Sequence, residues 1–178
     1  KGSSRWSGRP RNNRRRGRGQ RGGGQSGQSG RSTQSAGKAV DDKAFESIPL
    51  IQGSVVLVDS HAHIDASDYD GDRRKILERA MSKGVRTIIA VGSDLVSSRK
   101  TVDIANSFDG VFAAVGIHPH DVKSMANKSA GPIKALADNA KVVAIGEIGL
   151  DYHYDNSPRK LQKHWFREQV RMAVKIGK

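Results

Sequence analysis

Residues 55–65 read Val-Val-Leu-Val-Asp-Ser-His-Ala-His-Ile-Asp (VVLVDSHAHID): an unbroken apolar run that passes directly into a polar cluster. Runs of this length rich in Val and Ile suit strands buried on both faces, as in parallel sheets. Three further runs share the pattern, Thr87–Val91, Val111–Val115 and Val142–Ile145. Their ends, Val58, Val91, Val115 and Ile145, lie 33, 24 and 30 residues apart. That spacing leaves room for one crossover helix between successive parallel strands. Periodicity alone fits either a barrel or an open doubly wound sheet, and both carry their chemistry at the C-terminal ends of the strands.

The intervening segments read as helices. Asp72 is placed to cap a first helix that turns Ile76, Leu77, Ala80 and Met81 inward and stops at Gly84. A second is predicted from Ser97 to Ser107, burying Val102, Ile104 and Ala105, and a third starts at Pro132 and contains Ile133, Leu136 and Ala137. The fourth is predicted to take Ser157 as cap and Pro158 in its first turn, with Leu161, Trp165, Val170 and Ala173 on its apolar face. Repeated strand–helix alternation is an α/β pattern.

Composition removes several classes of function. The chain has 178 residues, no cysteine and a formal charge of +13, so disulfides, Cys-ligated zinc and thiol nucleophiles are excluded. No apolar run is long enough to span a bilayer, so no membrane partner is expected, and no secretory signal is visible. No GxGxxG or GxxxxGK[ST] follows any strand, which leaves nucleotide-cradling loops without support.

The charge is concentrated at one end. Residues 1–40 carry eleven basic residues and no acidic one, with Trp6 the only large apolar side chain. One ring cannot offset an ordering cost of roughly 1–2 kcal/mol per residue, so this segment is expected to be a disordered tail, joined by a linker (41–53) to a domain over 54–178. Arg14, Arg15, Arg16, Arg18 and Arg21 lie in a stretch, RRRGRGQR, that resembles the RG/RGG-rich segments of RNA-associated proteins. Arginines on a flexible glycine chain can pair with phosphates and stack on bases, so these five are candidate nucleic-acid contacts; a nuclear-import signal or a plain solubilising tail is the alternative. A nuclear or cytoplasmic location is expected on this ground alone, and the oligomeric state is not readable.

Candidate chemistry sits after three of the strands. On an extended chain His61 and His63 point to one face and can converge on one ion; the alternative is a pair of polar histidines at a strand end. Glu147 directly follows a buried run, where a carboxylate needs a cation, either a metal or an Arg or Lys from a neighbouring loop. In Gly116-Ile117-His118-Pro119-His120, His118 can bind phosphate or relay protons, while His120 can support the loop. His153 and His164 are read as surface or helix-packing residues.

The ordered motifs VDSHAHID, AVGIHPH and GEIGLDYHYD, followed by QKHWFREQVRMAVKIGK, resemble the TatD family of metal-dependent deoxyribonucleases over about residues 55–178. That resemblance implies a TIM (β/α)8 barrel of the metal-dependent hydrolase type. It also implies hydrolysis of nucleic-acid phosphodiesters, DNA foremost and RNA through the tail, with one or two divalent ions (Mg, Mn or Zn). His61 and His63 match the family's first-strand metal ligands, and Glu147 matches its metal-bridging carboxylate, hence a catalytic group. His118 matches the active-site histidine of the GxHPH loop, and Asp151 matches a supporting acid. The family carries two further histidines and an aspartate on later strands, whereas this chain ends at Lys178 and begins with Lys rather than Met. The chain is therefore expected to be the N-terminal part of a longer protein, holding about four of the barrel's βα units and inactive by itself. Two rival readings share the same residues: an amidohydrolase-like metal hydrolase of a small amide, lactone or ester, and a non-catalytic RG-rich nucleic-acid binder with an incomplete barrel.

Overall fold

A computed structural model of the chain describes residues 56–126 and 128–178. The tail, the linker and the candidate contacts Arg14, Arg15, Arg16, Arg18 and Arg21 lie outside the described residues. Within them, β1 (Leu57–Ala62), β2 (Val85–Val91), β3 (Val111–Val115) and β4 (Val142–Ile145) form one parallel sheet in the order β1-β2-β3-β4. Helices α1 (Arg73–Ser82), α2 (Leu95–Ser107) and α3 (Gly131–Ala137) connect successive strands, and α4 (Arg159–Ile176) follows β4. The α/β alternation predicted from spacing is therefore present. No helix of the described residues is long and apolar enough to cross a membrane.

The core forms where alternate strand residues meet the helices. Ile88 and Ala90 of β2, with Val111, Ala113 and Val115 of β3, are at most 3% exposed and belong to one cluster with Leu77, Val102, Ile133 and Trp165. The central strands thus match the expectation of burial. The outer strands do not: Val58 of β1 is 57% exposed and Val143 of β4 is 42% exposed. Each of these strands has one hydrogen-bonded neighbour among the described residues.

Three helix starts differ from the sequence reading. Asp72 precedes α1 but its side chain caps nothing. Arg73 organises that entry instead, donating from Nε to Ile64 O at 2.6 Å and from Nη2 to Ala66 O at 3.0 Å. Helix α2 begins two residues earlier than predicted, because Asp94 and Ser97 form a reciprocal capping box. Ser157 does not cap α4. Its hydroxyl is buried, donates to His120 O at 2.7 Å and accepts from Lys123 N at 3.1 Å.

The buried face of α4 coincides with the predicted one in part: Trp165 is buried and Leu161 and Ala173 pack partly buried against the core. Gln162, Trp165, Gln169 and Met172 face the core, whereas Val170 is 39% exposed. Spacings of three, four and three residues make a proper helical stripe. Two of its four members are amides, so an apolar pattern cannot reveal it.

Close approach of backbone fixes the top of β2. A Cβ on Gly92 would stand 2.5 Å from Ser98 Cα and 2.6 Å from Ser98 N, atoms of a helix backbone that cannot yield. Gly92→Ala is accordingly expected to destabilise the domain by about 1–3 kcal/mol through overpacking. Urea denaturation checks this, and an unchanged midpoint contradicts the packing described.

Candidate metal centre

The sheet delivers its polar residues to one end. His61 is the penultimate residue of β1 and His63 lies just beyond that strand, while Glu147 sits two residues past β4. The Glu147 amide donates to Gly92 O at 3.2 Å and the Gly146 amide to Val115 O at 3.0 Å, so the segment after β4 leans over the ends of β3 and β2. The Gly146–Glu147 peptide bond is cis.

His61, His63 and Glu147 each offer one ligand atom within 4.8 Å of the others. The two Nε2 atoms are 3.2 Å apart, and Glu147 Oε2 lies 3.7 Å from that of His61 and 3.8 Å from that of His63. Ligands about 2.0–2.2 Å from a shared ion stand about 3.0–3.5 Å from one another, so this donor set has the size of a coordination edge. The carboxylate contacts, at 3.7 and 3.8 Å, are longer than hydrogen bonds. Of the two partners open to Glu147 in the sequence, no Arg or Lys pairs with it among the described residues; it faces imidazoles.

Hydrogen bonds assign the tautomers. His63 Nδ1 lies 3.0 Å from Val91 O, which can only accept, so Nδ1 carries the proton and the neutral ring turns the Nε2 lone pair toward Glu147. His118 is the opposite case. Its Nδ1 accepts from His120 N at 3.2 Å, so the neutral ring is protonated at Nε2, the atom 3.7 Å from Glu147 Oε1. His63 therefore presents a lone pair and His118 presents a donor. The first suits a metal and the second an anionic oxygen.

His120 and Asp151 form the support around them. His120 Nε2 is 2.8 Å from Asp151 Oδ2, and its ring meets that of His118 edge-on at 4.4 Å. Burial opposes the charge on Asp151, but the amides of Tyr154 and His153 together with His120 outweigh it and hold the carboxyl below the usual aspartate range. His118, His120, Glu147, Asp151, Leu150 and Tyr154 line one shallow depression beside the histidine pair. His153 and His164 are exposed, as expected.

Three groups important here escape a reading of the sequence. Val91 supplies a carbonyl, which has no side-chain signature. Gln162 and Gln169 are buried on α4 and bond to backbone beside the site: Gln169 to Ile117 and Gln162 to Asp151. Their spacing of seven residues, in helical phase with Trp165 and Met172, is the one available signal.

A family model described as TatD related DNase matches residues 58–178. The chain is 40% identical over 122 residues to the uncharacterized metal-dependent hydrolase YabD of Bacillus subtilis (strain 168), covering 68% of this chain and 48% of that protein. It is 37% identical over 121 residues to the 3'-5' ssDNA/RNA exonuclease TatD of Cronobacter sakazakii, covering 68% of this chain and 46% of that protein. The crystal structure of YJJV, a TatD homologue from Escherichia coli K12, is similar with a TM-score of 0.57 at 29% identity, over 68% of this chain and 48% of that one. The chain spans about half the length of the curated relatives it matches.

The depressed Asp151 carboxyl gives a pH signature. A folded-state value below the ordinary aspartate pKa of about 3.9 stabilises the folded chain above that value and stops doing so as pH falls through the folded one. The stability difference between the wild type and Asp151→Asn is therefore expected to be constant near neutrality and to shrink below about pH 4. Denaturation midpoints taken across that range test it; a difference that persists undiminished at about pH 2 contradicts the assignment.

Proposed function

The chain belongs to the TatD-related DNase family, and we propose that the intact protein hydrolyses phosphodiester bonds of single-stranded nucleic acid with divalent metal held by His61, His63 and Glu147. The observation that carries this reading is the convergence of two imidazole Nε2 atoms and one carboxylate oxygen within 4.8 Å at the C-terminal end of the sheet. Substrate class is suggested by the 37%-identical relative named as a 3'-5' ssDNA/RNA exonuclease. A donor set of two imidazoles and one carboxylate accommodates zinc or manganese, and magnesium where water completes the shell.

A divalent ion held by His61, His63 and Glu147 would supply Lewis acidity toward phosphate oxygen and an activated water at neutral pH. The residues of the chain do the rest. His63, aimed by Val91 O, and His61, on β1 two residues before it, hold their ring nitrogens toward the centre. Glu147 brings negative charge to it, with its second oxygen turned to His118. His118 donates from Nε2 to a non-bridging oxygen of the scissile phosphate, stabilising the charge that grows there as water adds and the ester P–O bond breaks. His120, held by Asp151, keeps the acceptor side of His118 occupied, so the donor stays on the substrate side.

The arginines of the tail act at a distance in this reading. Arg14, Arg15, Arg16, Arg18 and Arg21 gather nucleic acid by pairing with its phosphates and raise its concentration near the centre.

Two measurements test these roles. Glu147→Gln in the intact protein is expected to lower metal-dependent cleavage of a labelled single-stranded oligonucleotide by more than about 100-fold, since even outer-sphere partners of metal ligands are worth 10- to 100-fold. Turnover near that of the wild type would falsify the proposed centre. Alanine at the five tail arginines is expected to flatten the salt dependence of oligonucleotide affinity by about 0.7 in logarithmic slope for each phosphate left without its arginine. An unaltered slope removes the tail from the mechanism.

A further inference from the structure

Two buried glutamines of α4 bond to the two loops that carry the substrate-side groups. Gln169 is 1% exposed; its Oε1 accepts from Ile117 N at 2.7 Å and its Nε2 donates to Ile117 O at 3.1 Å. Gln162 is fully buried; its Oε1 accepts from Asp151 N at 2.8 Å, and its Nε2 donates to Asp151 O at 2.9 Å and to Ser157 O at 2.8 Å. Each side chain thus pairs with both the N–H and the C=O of one loop residue, the pattern a neighbouring strand would provide.

The two grips reach one imidazole by separate routes. Ile117 is bonded to His118 in the chain, so Gln169 fixes the backbone from which that ring projects. Asp151 reaches His120 Nε2 at 2.8 Å, and His120 meets His118 through both its amide and its ring, so Gln162 acts through a carboxylate and a second histidine. Burial alone does not call for glutamine at these positions, since an apolar side chain fills the space without polar atoms to satisfy. What an apolar residue cannot do is donate and accept at once. A carboxylate cannot either, because it donates only when protonated.

We propose that Gln162 and Gln169 are positioning residues that set the placement of the His118 donor relative to Glu147 by holding Asp151 and Ile117 as surrogate strand neighbours. The inference rests on the role given to His118 above. It requires that loosening either grip cost phosphate recognition while sparing the metal ligands, which are anchored elsewhere through β1, Val91 and Gly92.

The test uses Gln169→Met, which keeps shape and loses both bonds, and Gln169→Glu, which regains them only when protonated. In the intact protein four quantities are read: Mn2+ affinity, affinity of the Mn2+-loaded protein for inorganic phosphate, kcat and amide hydrogen exchange. Gln169→Met is expected to leave Mn2+ affinity within about twofold, weaken phosphate binding and lower kcat by roughly 10- to 100-fold, the cost of misplacing a group by about 1 Å. Exchange should quicken at Ile117 while the β3 amide of Ala113, bonded to Lys141 O, stays protected. Gln169→Glu should resemble Gln169→Met at about pH 8 and recover toward the wild type, measured at the same pH, as acid protonates a carboxyl whose pKa burial raises. Wild-type phosphate affinity in Gln169→Met despite faster exchange at Ile117 overturns the proposal. So does a pH-independent ratio of Gln169→Glu to the wild type, which decides the matter if Gln169→Met does not fold. Failure to cleave any nucleic acid while these phosphate and exchange effects are present sinks the nuclease reading and leaves the positioning role standing.

Discussion

Parallel strands that stop end their own hydrogen bonding, and the loops beyond them must find partners for buried N–H and C=O groups. The architecture around this centre follows from that constraint. Helix side chains answer it at one loop after another. Arg73 takes the carbonyls of Ile64 and Ala66 after β1, and Ser97 accepts from the amides of Ser93 and Asp94 after β2. Ser98 accepts from Gly116 N and donates to Gly116 O, both at 3.2 Å, immediately after β3. Gln169 repeats that pattern one residue later at Ile117, and Gln162 repeats it at Asp151 after β4. The cost of leaving such groups unpaired, about 1–3 kcal/mol each, is what makes these otherwise awkward buried polar side chains net stabilising. Loops held this way are rigid enough to carry chemistry.

Electrostatics at the centre is the second consequence. Three imidazoles surround one carboxylate, and among the described residues no Lys or Arg forms an ion pair with it. Glu147 is about one-third exposed and the His61 and His63 side chains about half exposed, so the cluster opens to solvent rather than forming a sealed ion pair. Orientation then depends on what binds the far side of each ring. A carbonyl behind His63 and an amide behind His118 give two chemically identical side chains opposite roles, acceptor and donor.

Much of this is legible in residue order. The four apolar runs mark the strands, with β3 and β4 matching at both ends, because strands of a parallel sheet draw on short continuous runs of Val, Ile and Ala. His61, His63 and Glu147 stand out by their combination, since each alone has a bland alternative, and His118 stands out by its motif. The departures have a common cause. Ser157, Gln162 and Gln169 are polar residues used for long-range bonds to backbone, and a sequence displays neither the distant partner nor the burial. Ser157 before a proline looks like a cap, but the hydroxyl finds His120 O, thirty-seven residues away. Gln162 and Gln169 lack the apolarity by which a buried helix face is recognised, so the predicted face of Leu161, Trp165, Val170 and Ala173 misses both amides and includes the exposed Val170. The exposed outer strands show the complementary limit: composition marks a strand as apolar but not which neighbours cover it.

The geometry of the centre also constrains the shape of the sheet. His61 comes from β1, His63 from just beyond it and Glu147 from the segment after β4, strands separated by two others. In a flat sheet three strand spacings amount to about 14 Å. Histidine and glutamate side chains directed along the sheet can close part of that gap, but ordinarily they stand perpendicular to it. The observed separation of 3.7 Å therefore requires the strand ends to curl toward one another. The backbone bears this out: Glu147 N reaches Gly92 at the end of β2, bypassing β3. Gly92 can stand there because it has no Cβ, with Ser98 packed against it from the helix side. Curvature of this kind is what closes a sheet into a barrel. The same bend that the barrel needs is the one that gathers His61, His63 and Glu147, so a substitution that flattens the sheet at Gly92 or Gly116 would disperse this candidate donor set even with all three side chains intact.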